Sequence, residues 1–450
     1  MLNFFQNLKK NYLLDGYVFI LFATVSFSTL QNSQITIPIL VILSVIQFYR
    51  LIKNKVSIEY GLKTFFYLLI YSLIFFRSAH TFLLIINILL YGYFFFKTKK
   101  FRRKGNHQTE IIIVVFFGLI FLNHIVFSSK LRGLDTYLYI LFYPILFYFI
   151  KSSNAKISKI KALKVFITSV LVASVILFFV NLYNHKISLT TNTFFAEYLG
   201  LTHVYFGIFL GVSCVFLLQI KNDNKTFISK YVDVITFFII LFMLIHIGAR
   251  MSLLAVFLVL GLSLYKRVPL KWHYKGLLLL MVFIGALALS YKTVPRVRND
   301  IRQIQKVYHS VNTNDKQDLL ENSWRNMYQR FLVTKYTLKL IKTDLFFGKG
   351  LQNVKGKVSE QILKDGYKYF QPINPHNQYL HILLGMGLLS FLFFLWMLFQ
   401  FYKEQPIASY FLIYFLIILL TESALVRVKG ISVFFIFTLL FSMKNNLKND

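Results

Sequence analysis

The chain lacks most of what a soluble enzyme of its length needs. Only 15% of its residues are charged, and acidic ones are the scarcest, with 17 Asp and Glu against 50 Lys and Arg. A soluble chain of 450 residues requires far more polar surface. Cys214 is the single cysteine, so no disulfide forms within the chain. There is no Walker-type phosphate loop, which argues against ATP hydrolysis. There is no His-x-x-x-His or paired-cysteine pattern, so no zinc motif of those kinds is encoded. No internal repeat is visible, and no alternating strands of about ten residues suggest an outer-membrane barrel.

What the chain has is apolar. Hydrophobic residues are 57% of it, aromatics 18%, and the mean hydropathy is +0.60. The apolar runs predict about fourteen membrane spans. They lie near 17–30, 35–49, 62–76, 81–96, 111–127, 137–150, 163–180, 201–220, 231–247, 251–265, 277–291, 378–400, 407–420 and 431–441. The expected fold is an all-α polytopic membrane protein. Lys9 and Lys10 precede the first run, and no small-residue cleavage site follows it, the pattern of an uncleaved first span.

The net charge of +33 is not a nucleic-acid signal. The basic residues sit in alternate short loops, as the positive-inside rule expects, and no nucleic-acid motif accompanies them. Arg50, Lys53 and Lys55 mark one such loop, Lys97 to Lys104 the next, then Lys151 to Lys164, Lys221 to Lys230, and Lys266 to Lys275. With the N-terminus in the cytoplasm the alternation holds along the chain and returns the C-terminus to the same side. The long loop 292–374 then lies outside the cytoplasm, between the eleventh and twelfth spans. It is basic where the rule does not demand it, which points to an anionic ligand or to anionic headgroups.

Within that loop, 294–314 is basic and reads as helical. A second helix is expected from Ser323 to about Thr343. Its apolar face would be Trp324, Met327, Phe331, Leu338 and Ile341, laid against lipid or the bundle. Gly348 and Gly350 break the chain, and 354–368 reads as a further short helix. The loop ends at Pro375-His376-Asn377-Gln378, a polar corner that runs directly into an apolar helix.

Candidate residues gather on this side. Arg250 lies in Gly248-Ala249-Arg250, a turn so short that the arginine is at the membrane surface. It reads either as a snorkelling turn residue or as a fixed charge that binds phosphate through its two-pronged guanidinium. Arg325 reads as a basic residue of an interfacial helix or as a second phosphate ligand. His376 is a titratable group at a water–lipid boundary and a candidate general base, set against a structural role. Asn377 is placed to cap the helix that follows. Tyr379 reads as an interfacial aromatic anchor. His203 and Tyr205 open the eighth span on the same side and read as structural or as part of a headgroup pocket. Glu422, Arg427 and Lys429 lie in the last outer turn, where Glu422 is expected to pair with an arginine. The outer turn after the first span has no acidic residue, so no acidic metal site is read there, and arginine rather than metal would handle phosphate.

Pro375-His376-Asn377-Gln378-Tyr379-Leu380 with Gly387, Trp324-Arg325 followed by Leu345-Phe346-Phe347-Gly348-Lys349-Gly350, and Gly248-Ala249-Arg250 together resemble the O-antigen ligase and polymerase family of bacterial envelope enzymes. The resemblance covers roughly 231–441. Departures are Gly385, where the family often has glutamate, Ser390 for glycine, and Ala249 for the usual serine. The resemblance implies a glycosyltransferase-C-like fold and an inverting enzyme on the periplasmic face of the inner membrane, with both termini cytoplasmic. Its donor would be an undecaprenyl-diphosphate-linked glycan, and its acceptor lipid A–core or another glycan. It implies catalysis by His376, Arg250 and Arg325, and substrate contacts from these arginines, Asn377, Tyr379 and His203, without metal, nucleotide or other cofactor. A ligase is favoured over a polymerase. A protein-glycosylating transferase is a third reading, and a transporter or flippase is the rival from another class.

Overall fold

The computed structural model describes residues 58–75, 77–98, 107–128, 133–153, 157–183, 201–220, 227–267, 295–313, 315–323, 325–367, 370–404 and 408–443, with a few isolated positions elsewhere. Among the described residues there are helices and turns and no strand. In chain order the bundle helices are α1 (Ile58–Ser72), α2 (Arg77–Thr98), α3 (Gln108–Phe127), α4 (Leu138–Ser152), α5 (Lys159–Tyr183), α6 (His203–Gln219), α7 (Phe227–Ile247) and α8 (Arg250–Arg267). The loop contributes α9 (Pro295–Asn312), α10 (Lys316–Glu321), α11 (Asn326–Thr343) and α12 (Val354–Lys364). The bundle closes with α13 (Gln378–Glu404), α14 (Ser409–Thr421) and α15 (Val428–Ser442).

Every expected span that falls within the described residues coincides with one of these helices. The first, second and eleventh, and Trp324, lie outside them. Five helical stretches are long and apolar enough to cross a membrane by length and composition, within α2, α3, α5, α13 and the run Leu134–Ser152 that ends in α4. Five more apolar helices, within α6, α7, α8, α14 and α15, are shorter. The chain is therefore a helical membrane protein, whereas the full count of fourteen rests partly on stretches outside the described residues.

Two apolar cores follow from the sequence pattern. The larger joins the bundle helices and is dense in aromatic rings, with Phe216 against Phe437 at 4.6 Å and Phe166 against Phe437 at 4.9 Å between centroids. Such edge-to-face pairs add to area burial. The smaller core belongs to the loop: Tyr328, Leu332, Val333 and Tyr336 of α11 pack on Val354, Val358 and Ile362 of α12, with Leu384 of α13 completing it. Asp318 ties α9, α10 and α11 together. It accepts hydrogen bonds from Ser310, from the Tyr328 hydroxyl at 2.8 Å and from Asn322 at 2.7 Å. Burial pushes its carboxyl up, but these donors and the nearby Arg325 and Lys306 charges outweigh that and hold it below the ordinary value.

The buried face of α11 keeps Ile341 of the expected one and otherwise differs from it. Tyr328, Leu332, Val333, Tyr336 and Ile341 are inside, while Leu338 is 45% exposed and Met327 and Phe331 are half-buried. Two apolar stripes overlap on this helix, and the one rich in tyrosine has the partner, because α12 offers valine and isoleucine at matching height. The helix is therefore part of a packed loop domain and does not lie free at the lipid surface.

A second difference is in α13, which the hydropathy presents as one continuous span. At Gly387 the backbone leaves helical geometry, with φ 76° and ψ 179°. The turn 345–350 fills the break. Lys349 N–H donates to Leu384 O at 2.7 Å, Gly350 N–H to Gly385 O at 2.9 Å, and Leu388 N–H to Leu345 O at 2.9 Å. Asn123 of α3 completes it, donating to Gly385 O at 3.0 Å and accepting from Leu351 N–H at 2.9 Å. Broken backbone inside a membrane protein must find such partners, because lipid offers none. A side chain at Gly387 would collide with the Phe346 carbonyl, so glycine is required there twice, by conformation and by space. Gly385 lies against the Leu351 backbone, which leaves no room for the glutamate usual at this place.

Candidate functional site

The polar corner before α13 is locked by the turn between α14 and α15. Asn377 caps α13 as expected, its side-chain oxygen accepting from Leu380 N–H at 3.0 Å. The Gln378 side-chain oxygen accepts from Leu425 N–H at 2.8 Å, and Ser423 donates to the Pro375 carbonyl. Tyr205 reaches the same turn from α6, its hydroxyl donating to Ala424 O at 3.2 Å, and Arg427 stacks over its ring at 5.2 Å. Tyr379 donates to Leu416 O at 3.3 Å, which ties α13 to α14.

This framework presents Glu422, at the end of α14, to two partners at once. One carboxylate oxygen lies 2.9 Å from His376 Nδ1 and the other 2.9 Å from Arg330 Nη2. Burial works to raise the Glu422 carboxyl, yet the hydrogen bonds and charges of His376 and Arg330 prevail and hold it below its ordinary value. An ionised carboxylate only accepts, so Nδ1 of His376 carries a proton, and in the neutral imidazole Nε2 is the nitrogen that can accept one. His376 keeps 28% of its side chain exposed.

Beside this dyad is a cavity of about 250 Å³. Its walls include His203 and Val204 from α6, Arg250 and Ser252 from α8, Asp300 and Ile304 from α9, Met327 and Arg330 from α11, and Glu422. Arg250 opens α8 after Gly248, whose φ is 68°, and it forms an ion pair with Asp300. Ala249, in place of the usual serine, packs closely on Gly207 of α6. The cavity therefore collects two arginines, two carboxylates and a histidine where α6, α8 and α14 of the bundle meet α9 and α11 of the loop.

Of the residues expected from sequence, Arg250 and His203 line this cavity, and His376 stands behind it through Glu422. Asn377 and Tyr379 position the corner through their caps and bonds. Arg325 immediately precedes α11, with its charge near Asp318, and is not among the lining residues. Arg330 takes the place in the wall that was expected for Arg325. Neither Arg330 nor Asp300 stood out in the sequence. A signal for Arg330 existed: Glu422 was expected to need an arginine, and Arg330 is one helical turn and a half beyond Arg325. The Nε–H of Arg330 is buried with no acceptor among the described residues.

The cavity suits an anion held by two guanidinium groups, with the His376 imidazole joined to its wall through Glu422. Both arginines already face carboxylates, so an anion would share them with Asp300 and Glu422. At about 250 Å³ it is smaller than the clefts that enclose a whole drug-sized ligand. Residues 235–395, from α7 into α13, match the model of the O-antigen ligase family, which bears out the resemblance read from the motifs. No curated protein matches the chain. The matched stretch contains Arg250, Asp300, Arg330 and His376, while Glu422 lies beyond it.

Proposed function

Starting from the O-antigen ligase match, we propose that this glycosyltransferase moves a glycan from undecaprenyl diphosphate to lipid A–core on the periplasmic face of the inner membrane, within a glycosyltransferase-C-like fold. The observation that carries the reading is the Glu422 carboxylate, bound to His376 on one side and Arg330 on the other, at the wall of a cavity that also holds Arg250.

The chemistry follows from this arrangement. The acceptor hydroxyl oxygen attacks the anomeric carbon of the donor sugar, and the bond from that carbon to the diphosphate oxygen breaks. The hydroxyl proton passes to His376 Nε2, and the bonding electrons leave with the diphosphate. Attack from the side opposite the leaving group inverts the anomeric centre. Arg250 and Arg330 stabilise the charge that grows on the diphosphate, which is electrostatic catalysis by donors fixed in advance. Glu422 sets the tautomer of His376 and steadies the imidazolium that forms. His203 contacts the substrate within the cavity, Asn377 and Tyr379 hold the corner against it, and Arg325 receives the part of the glycan that extends past α11.

The test is the lipopolysaccharide pattern of cells whose single copy carries His376→Ala, beside wild type and a deletion, with glycan on the lipid carrier measured in each. Loss of all glycan from lipid A–core, with long chains accumulating on the carrier, is the expected result. Core bearing one repeat unit without a ladder would identify a polymerase instead. An unchanged pattern in both mutants would overturn the role in this pathway and favour a protein-directed transferase or a transporter.

A further inference from the structure

α9 divides into three sectors around its axis. One sector is buried against the rest of the loop and the cavity: Asp300 pairs with Arg250, Val307 joins the loop core, and Ser310 donates to Asp318. A second sector, Ile301, Ile304, Tyr308 and Val311, recurs at intervals of three and four residues and is apolar. These side chains are nevertheless exposed, Ile304 by 53% and Tyr308 by 68%. The third sector carries Arg298, Arg302 and Lys306, all exposed, and no acidic residue. The single carboxylate of the helix is Asp300, on the buried side.

An exposed apolar stripe of four residues on a helix that water surrounds is unfavourable, and here it borders three cations with no carboxylate on their own helix, of which Lys306 lies near Asp318 of α10. This is the pattern of a helix that lies in a membrane surface, apolar side in the acyl region and basic side on anionic headgroups. A protein partner is the weaker candidate. The stripe is narrow, and the helix is already fixed beside the membrane, since Asp300 and Ile304 share one cavity wall with α6, α8 and α14. We infer that α9 is docked on the bilayer, with Ile301, Ile304, Tyr308 and Val311 among acyl chains and Arg298, Arg302 and Lys306 on anionic lipid headgroups. The cavity wall formed by Ile301 and Ile304 is then continuous with the lipid surface, so the cavity opens sideways to the bilayer rather than only to water.

The experiment uses full-length protein in vesicles of phosphatidylcholine with or without phosphatidylglycerol. Ile304→Cys, Tyr308→Cys and, as the basic-face control, Gln305→Cys are each labelled with a thiol fluorophore. Cys214 is buried and does not compete for the label. Brominated acyl chains should quench the labels at Ile304 and Tyr308 about threefold more than the label at Gln305. Phosphatidylglycerol should strengthen this quenching. In Arg298→Gln/Arg302→Gln/Lys306→Gln the advantage of phosphatidylglycerol should vanish, each cation contributing about fivefold to the preference. Equal, weak quenching at all three sites would overturn the inference, as would labels shielded from both bromolipid and aqueous iodide, which would mean a protein partner. Strong quenching at Ile304 and Tyr308 that ignores phosphatidylglycerol and the triple variant would overturn the assignment to anionic lipid. None of these readouts depends on transfer activity.

Discussion

Two groups of charges join helices of the bundle, and they are built differently. In one, Lys151 of α4 meets Glu110 of α3 at 2.6 Å, with side chains 7% and 4% exposed. Lys151 also donates to Ser442 of α15, and Lys159 of α5 donates to Phe441 O at 3.0 Å. Helix ends from four parts of the bundle are clipped there, and the pair is sealed. In the other, Arg250, Asp300, Arg330 and Glu422 gather around a cavity with His376 behind Glu422, and Arg330 and His376 each keep 28% of the side chain exposed. Ion pairs of similar length thus have different uses. A sealed pair has spent its electrostatics on holding helices, at a high desolvation cost. A pair that borders a cavity keeps donors for a guest.

The comparison would break first at His376. Replacement by alanine removes the proposed base and leaves the Arg330–Glu422 pair intact, so folding should be preserved. Transfer measured with purified protein and a lipid-linked donor should fall by about 10²–10⁴, which corresponds to roughly 3–5 kcal/mol of barrier. Glu422→Gln should give a smaller loss, about tenfold or more, because the ring remains but its tautomer is no longer fixed. If Glu422→Gln left the rate unchanged, the cavity group would be another structural clip.

The sealed group should respond in the opposite way. Glu110→Ala strands Lys151 in a dry site and should cost about 3 kcal/mol of stability, seen as a lower unfolding midpoint in detergent. Activity per folded molecule should stay at the wild-type level. Glu110→Met/Lys151→Met should recover most of the stability, since a packed apolar pair replaces a buried ionic one. A loss of transfer in correctly folded Glu110→Ala protein would erase the distinction between the two groups.

How much of this was legible in the sequence follows from which interactions are local. Helix positions were legible because apolar runs announce themselves, and the Asn377 cap because it acts three residues away. The break at Gly387 was not, since one glycine in an apolar run reads the same whether or not a turn from 345–350 fills the gap. The buried face of α11 was misread because two stripes compete there and the choice belongs to α12. His376 and Arg250 stood out by their setting at helix ends. Arg330 and Asp300 became visible only when the chain brought α9, α11 and α14 around one cavity, a contact of long range that no local pattern encodes.

Acid titration separates the two groups by a smaller amount. The Glu422 carboxyl lies below its ordinary value of 4.5 in the folded chain. Its stabilising contribution is therefore complete above that value, and it is lost as pH falls towards the folded one. The unfolding midpoint of wild type should drop on acidification below about pH 4.5 relative to Glu422→Gln. Matching curves for the two proteins would mean that Glu422 gains nothing from His376 and Arg330.

The smallest effect is expected at Arg325, and it sharpens where the cavity group ends. Arg330 lines the cavity, holds Glu422 and has a buried Nε–H with no acceptor among the described residues. Arg325 precedes α11 and acts near Asp318. Arg330→Ala should cost about 10²-fold in transfer, the usual scale for one lost donor to a developing anion. Arg325→Ala should cost about fivefold, in line with a partly exposed cation worth about 1 kcal/mol. The effect of Arg325 should shrink further in high salt, and that of Arg330 should not, because only the outer charge is screened. Equal losses at both positions would extend the binding surface outwards along α11, so that the diphosphate spans both arginines instead of resting on Arg250 and Arg330 alone.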